Sequence, residues 1–419
     1  MIRIVSSYQP ERSRKKSFRS SETIQTKRLI FSESASEPLM AKPDDDRQAK
    51  LAAIERQTEL GGRFEQIARI GVSGGDGHFS ILVGAYDRFT KTRVALKFFD
   101  PIHRSDAYRW ECFNREANML EQLVGEPDIV RWVAPINEFV LPFTHFGITL
   151  NVPFAYYALE LASGDVGAGI AANSCDTVQK MQQFRAMCRS VQRIHGRGIA
   201  HRDLKPSNFL TTAKGEIRLS DFGTAKHVHS LADTILSRYV SPVGDTMYAA
   251  PELFAALHDS VPSISLIGDI YALGAILFEL FSGTALNLQI FDASTLSSLT
   301  QVGNALDRSV RVRIYNGFIS KLKDARPLPK VASFVPDVPG VVADHIDRLY
   351  MSMASLDYNS RMVDFQRIFA RINQIELLLR TESKYREWKK RRDLIRSRAA
   401  EKREQRISIL KLKANGVQP

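Results

Sequence analysis

His201-Arg202-Asp203-Leu204-Lys205-Pro206-Ser207-Asn208, followed by Asp221-Phe222-Gly223, decides how this chain is read. The stretch sets two carboxylates, a lysine and an amide within a short span. Moving a phosphoryl group off a nucleotide requires such a set. One carboxylate orients the attacking hydroxyl and accepts its proton, and a cation offsets charge on the moving group. An amide and a second carboxylate hold the metal ions that bridge the phosphates. Asn208 and Asp221 stand 13 positions apart, which leaves room for a hairpin between them. The plain alternative makes Asp203 a turn aspartate and His201 a core histidine.

Composition bounds the rest. At 419 residues the chain exceeds one typical domain and suits two lobes with extensions. At 44% hydrophobic and 25% charged it is ordinary for a globular protein. Its three cysteines, Cys112, Cys175 and Cys188, form no C-x-x-C pair, so neither a disulfide framework nor a zinc site is indicated. A reducing, cytoplasmic setting is expected. The apolar run from Ile270 to Phe278 meets Glu279 too early to span a bilayer and reads as a buried helix, so no transmembrane segment is expected. The segment from Met1 to Val5 lacks the apolar core of a secretory signal.

The net charge of +12 sits at the ends. Residues 1–50 carry a net +4 and residues 380–419 a net +9, which leaves 51–379 at −1. A general nucleic-acid binder would spread its basic groups over the body, so this balance argues against that class.

Along the chain, residues 1–63 read as an N-terminal extension, Ser-rich, basic and mostly disordered, with a helix expected over 44–60. Asp44-Asp45-Asp46 suits a helix N-terminus, and Gly61-Gly62 is expected to close it. Strands are expected at 64–70, 79–86 and 93–99, then a helix over 108–124. Helical patterns dominate from Thr177 onward, and 285–340 reads as short helices mixed with loops.

The opening stretch resembles the protein kinases, of the serine/threonine type. The resemblance covers about 64–380 and implies an α+β, two-lobed fold. A small sheet-based lobe and hinge would occupy 64–162, a larger helical lobe 163–380, and a basic helical tail outside the family 381–419. It implies ATP and Mg²⁺, and a protein substrate with a Ser or Thr acceptor. Asp203 is then the base, Lys205 stabilises the transferring charge, and Asn208 and Asp221 bind the metal. His201 and Arg202 are expected to be scaffolding.

Further motifs fill in the site. Gly74-Gly75-Asp76-Gly77-His78-Phe79-Ser80-Ile81-Leu82 resembles the kinase glycine-rich loop, whose backbone N–H groups approach phosphates; a simple hairpin turn is the competing reading. Gly75 and Gly77 carry the resemblance, while Ser80 stands where the family usually has its third Gly. Val94-Ala95-Leu96-Lys97 matches the strand whose lysine holds the α and β phosphates. Glu116, nineteen residues on, is its expected helix partner, with Glu111 as the competing acid. A lone Lys or Glu is ordinarily a solvated surface group. Leu82 and Ala95 are expected nucleotide contacts on the two strands. Ala158 to Asp165 resembles the hinge, where adenine would meet backbone groups of Glu160 and Ala162 with Leu159 behind; an ordinary strand end before a Gly turn is the alternative.

Downstream, Ala250-Pro251-Glu252 ends a segment resembling the kinase activation segment. Asp245 follows Gly244 where the family usually has Thr. Thr234, Ser237, Ser241 and Thr246 are candidate autophosphorylation sites, with Arg202 placed to grip such a phosphate. Asp269 is expected to brace the catalytic loop, and Arg361 to pair with Glu252. The tail at 384–413 places Tyr385, Trp388, Ile395 and Ala399 at roughly helical spacing beside basic residues. It could pack on the large lobe, pair with a partner helix or bind an anionic partner. Two functional alternatives stand beside the Ser/Thr kinase. One is a pseudokinase-like ATP-binding scaffold. The other is a kinase domain regulating a basic tail that binds nucleic acid or an anionic surface.

Overall fold

The computed structural model describes residues 43–70, 80–145, 148–228, 243–257, 263–304, 307–334, 338, 340–380 and 390–404. Among the described residues, two buried clusters organise the chain. One holds Ile54, Val83, Leu96, Phe98 and Phe154 under a small sheet. The other, much larger, runs through the helices and centres on fully buried side chains such as Tyr271, Phe278 and Tyr350.

The small lobe opens with α1 (Pro43–Glu55), β1 (Glu59–Leu60) and β2 (Phe64–Arg69). β3 (Ser80–Asp87) and β4 (Thr92–Phe99) follow, then α2 (Ala107–Gln122), β5 (Trp132–His145) and β6 (Ile148–Glu160). The sheet order is β1-β2-β3-β4-β6-β5. The strands expected at 64–70, 79–86 and 93–99 are therefore present within a residue.

Two early expectations need correction. The helix expected over 44–60 ends at Glu55, and residues 59–60 form β1 instead. Gly61 and Gly62 do not cap a helix. They take φ values of +59° and +66° and turn the chain between β1 and β2, where Leu60 pairs with Phe64. Glycine tolerates that left-handed backbone without a side-chain clash. The segment 43–63 thus packs as part of the small lobe.

The large lobe begins with β7 (Gly164–Asp165), α3 (Val166–Ala171) and α4 (Thr177–Gly196). α4 starts on a capping box, with Asp176 and Gln179 each bonding the other's backbone N–H. The short strands β8 (Ile199–Ala200), β9 (Phe209–Thr211), β10 (Ile217–Leu219) and β11 (Lys226–His227) carry the catalytic-loop region. Helices α5 (Pro251–Phe254), α6 (Ile264–Ser282), α7 (Leu286–Ile290), α8 (Ala293–Gly303), α9 (Arg308–Ala325), α10 (Gly340–Met353) and α11 (Phe365–Arg380) complete it. The 18 residues of α9 make 285–340 more regular than its polar sequence suggests.

α6 is long and apolar enough to cross a membrane by length and composition. Its apolar run from Ile270 to Phe278 lies in the large-lobe core, with Asp269 before it buried and Glu279 after it half-buried, as a buried core helix requires. Residues 390–404 form a tail helix in which every residue except Arg392 is exposed.

Candidate active site

The site lies in the cleft between the lobes. Ile70, Leu82 and Ala95 line its small-lobe side and Leu210 its large-lobe side. Lys97, Glu116, Asn208 and Asp221 supply its charged and amide groups.

Lys97 comes from β4 and Glu116 from α2. Nζ of Lys97 donates to Oε2 of Glu116 at 2.6 Å and lies 3.7 Å from Oδ1 of Asp221. Burial works against the ammonium, but Glu116 and Asp221 outweigh it and hold the Lys97 pKa above its ordinary value. Glu111, the competing acid, faces Arg115 on its own helix at 3.4 Å. α2 is also tied to the Asp-Phe-Gly turn, because Nη1 of Arg115 donates to the carbonyl of Gly223 at 2.9 Å. Phe222 is fully buried against the His201 ring, 5.0 Å between centroids.

The hairpin between Asn208 and Asp221 is β9 against β10, with Leu219 opposite Phe209. It sets the two residues side by side at the cleft floor. Nδ2 of Asn208 donates to the backbone carbonyl of Asp203 at 2.7 Å, which turns its Oδ1 away from the loop. Asp221 takes a left-handed backbone, φ +62°, at the point where the chain leaves β10. A non-glycine residue held there signals a tightly constrained site.

Asp203 and Lys205 form the second charged group, with Oδ2 and Nζ 3.2 Å apart. Burial pushes the Asp203 carboxyl above its ordinary value, against the pull of Lys205. Burial also opposes the charge on Asp221, but there Lys97 and Lys205 win and the pKa falls below its ordinary value. Two nearby carboxylates driven in opposite directions suit two tasks, proton acceptance and permanent charge.

Asp245 completes this corner. Its backbone N–H donates to Oδ1 of Asp203 at 2.7 Å, and its own Oδ2 lies 3.9 Å from Lys205 Nζ. The preceding Gly244 has φ +94°, and a Cβ there would meet the carbonyl oxygen of Arg202 at 2.4 Å. Only glycine lets the two backbones approach so closely.

The scaffold below is polar and paired. Asp269 on α6 accepts from the backbone N–H groups of His201 and Arg202, both at 2.8 Å. Nε2 of His201 bonds the Ser220 carbonyl at 2.9 Å, and Nε of Arg202 donates to the Thr224 carbonyl at 2.7 Å. Arg361 makes a two-pronged pair with Glu252, both side chains fully buried, and stacks over the Tyr271 ring.

At the hinge, the Glu160 side chain turns out of the cleft and accepts from the Arg131 N–H at 2.8 Å. Ala162 lines the cleft beside it. Ser80 is buried at the start of β3 and lines the cleft. Gly75 and Gly77 lie outside the described residues, as do Thr234, Ser237 and Ser241, and Tyr385 and Trp388 of the tail; Thr246 is exposed. Sequence reading missed Leu210, Ile70 and Arg115. Leu210 stands two residues after Asn208 on a strand, a spacing that could have marked it as the cleft floor.

A sheet lobe and a helical lobe clasping this set of groups define the protein kinase class. Residues 69–415 match the protein kinase domain, and the chain belongs to that family. It is 29% identical over 298 residues to mitogen-activated protein kinase 16 of Arabidopsis thaliana, covering 68% of this chain and 48% of that protein. It is 29% identical over 268 residues to mitogen-activated protein kinase 15 of Oryza sativa subsp. japonica, covering 62% and 50%. With mitogen-activated protein kinase 14 of the same rice it shares 32% over 216 residues, covering 51% and 37%. The chain thus spans half or less of the length of these curated relatives.

Proposed function

We propose that this protein is a cytoplasmic serine/threonine protein kinase that transfers the γ-phosphoryl group of ATP, with Mg²⁺, to protein hydroxyls. The observation that carries the reading is the joining of two ion-paired groups across one cleft. Lys97 lies within reach of both Glu116 and Asp221, while Asp203 is paired with Lys205 and bonded by Asn208. The kinase names of the relatives support it.

The residues present fit the metal nucleotide. Asp221 is held ionised, and the Asn208 amide is oriented with its oxygen off the loop, two hard oxygen donors of the kind Mg²⁺ takes. Bound Mg²⁺–ATP supplies the phosphoryl group and the divalent charge that offsets it. The chain's own residues do the rest. Lys97 is fixed by Glu116 to meet phosphate oxygens, and Leu82, Ala95 and Leu210 present apolar faces to a flat base. Backbone groups of Glu160 and Ala162, which line the cleft, would meet its edge. Asp203 orients the acceptor hydroxyl and takes its proton at a carboxylate oxygen, with its raised pKa closer to the working range of a base. Lys205 balances charge as the phosphoryl moves.

The scaffold alternative is not favoured, since Lys97, Glu116, Asp203, Lys205 and Asp221 gather in one cleft with charged partners. The exposed tail helix, with basic residues along it, supports an anionic partner for 384–413. Asp203→Asn is the direct test of the catalytic reading. Transfer from labelled ATP should fall by about 10²–10⁴-fold, the contribution of a positioned general base, with nucleotide affinity unchanged. Transfer at the wild-type rate refutes the assignment.

A further inference from the structure

α1 precedes the residues matched to the kinase domain, yet it grips the small lobe at two points beside the nucleotide site. Arg47 and Lys50 stand one turn apart on it. Nη2 of Arg47 donates to the carbonyl of Ser80 at 2.9 Å, where the chain enters β3 from the glycine-rich segment. Nζ of Lys50 meets Oδ1 of Asp100 at 2.7 Å, in a pair whose side chains are only 5% and 10% exposed. Ser80 is paired across the sheet with Phe99, so Asp100 lies one residue beyond its partner. One helix therefore holds two adjacent strand ends. Ile54, fully buried in the small-lobe cluster, anchors it there.

Both held points lead to the cleft. Oδ1 of Asp100 also accepts the N–H of Ile102 at 3.1 Å and so caps the turn that leads into α2. Phe99 packs edge-on against Trp110 and Phe113 of α2, with centroids 5.1 and 5.4 Å apart. Phe113 is one turn before Glu116, and Lys97 is two residues before Phe99 on β4. A buried ion pair is a poor device for stability alone, since apolar side chains of equal volume often serve better. Such a pair can instead fix geometry, and the strand ends and turn it joins lead to Lys97 and Glu116.

We infer that Arg47 and Lys50 are positioning residues for the nucleotide site. α1 pins the end of the glycine-rich segment and the entry to α2 together, and so keeps Glu116 on Lys97. The effect on catalysis rests on the kinase reading; the effect on α2 does not.

The test uses the full chain with Lys50→Met, Arg47→Ala and the conservative Lys50→Arg. Hydrogen exchange is followed in 80–87, 107–122 and, as a control, 264–282. Affinity for a fluorescent ATP analogue, steady-state kinetics and melting temperature are measured alongside. Lys50→Met should speed exchange in 80–87 and 107–122 but not in 264–282. Nucleotide affinity should weaken by about fivefold or more, the low end of coupling between separate elements. The KM for ATP should rise with the KM for protein substrate unchanged, and Lys50→Arg should restore all of these. A lower melting temperature with wild-type exchange in 107–122 and wild-type nucleotide affinity overturns the inference, leaving α1 a mere stabiliser. Arg47→Ala, which removes contacts of a partly buried side chain, keeps the test decisive if Lys50→Met does not fold. Should the wild-type protein transfer no phosphate, the kinase reading fails, while exchange and nucleotide affinity still decide the role of α1.

Discussion

Replacing Arg361 by Met should destabilise the large lobe by about 3–5 kcal/mol, the cost of breaking a fully buried pair from one side. The reason is what stays behind. Glu252 keeps its carboxylate in a place without solvent, with the Tyr315 hydroxyl at 3.4 Å as its remaining donor among the described residues. The guanidinium also serves two carbonyls, Ser355 at 2.7 Å and Ile267 at 3.2 Å, and each loses a donor. At roughly 2–4 °C per kcal/mol for a lobe of this size, the melting temperature should fall by about 10 °C. The assay is urea unfolding of the full chain followed by far-ultraviolet circular dichroism. The double variant Arg361→Met with Glu252→Met separates charge from packing. It should recover at least half of the loss, since the stranded charge is gone and only the two carbonyls, at about 1 kcal/mol each, remain short of a donor. A single-variant loss below about 1 kcal/mol, or a double variant less stable than Arg361→Met alone, refutes the argument that desolvation of Glu252 dominates.

Further outcomes follow from other groups. Asp221→Asn should abolish the dependence of activity on added Mg²⁺ along with most of the activity, because a neutral amide holds a hard cation poorly; a wild-type Mg²⁺ titration curve would contradict the assignment. Asp87 is bonded by Arg63 through both oxygens at 2.8 Å, and that bond holds its pKa well below the ordinary carboxylate value despite burial. Since the folded pKa lies below the unfolded one, the stability it confers is complete above about pH 4 and drains away as pH falls further. Arg63→Met should therefore flatten the acid limb of the stability–pH curve between about pH 4 and 2, as read by denaturation at each pH. Truncation before residue 384 should leave melting temperature and transfer to a small peptide unchanged. It should remove any binding of the full chain to heparin or anionic vesicles, a binding that salt weakens through screening over about 10 Å at 0.1 M. A drop of several degrees on truncation would instead assign the tail a packing role.

The chemistry of this chain is legible in sequence because it is stored in short contiguous runs. His201 to Asn208 is one loop, and period-two alternation suffices to aim Lys97. What escaped reading depends on distant partners. Gly61-Gly62 fits a helix end and a hairpin turn equally well until β2 is known to fold back on β1. The long β5–β6 hairpin is broken by register shifts between Trp132 and Asn137, which blur its alternation. α1 has few apolar residues and looks like a solvated extension. Part of its attachment runs through Lys50, whose partner lies fifty residues on and carries no local signal.

The close approach of Gly244 to Arg202 has a consequence for timing. The backbone of Gly244 meets that of Arg202, and the N–H of the next residue, Asp245, donates to Asp203. If 243–248 swings away, Asp203 loses that donor in the same motion. The placement of 243–248 and the hydrogen bonding of Asp203 are thereby coupled, while Lys205 and Asn208 stay at the carboxylate. Displacing 243–248 therefore changes the surroundings of the Asp203 carboxylate without anything touching that side chain.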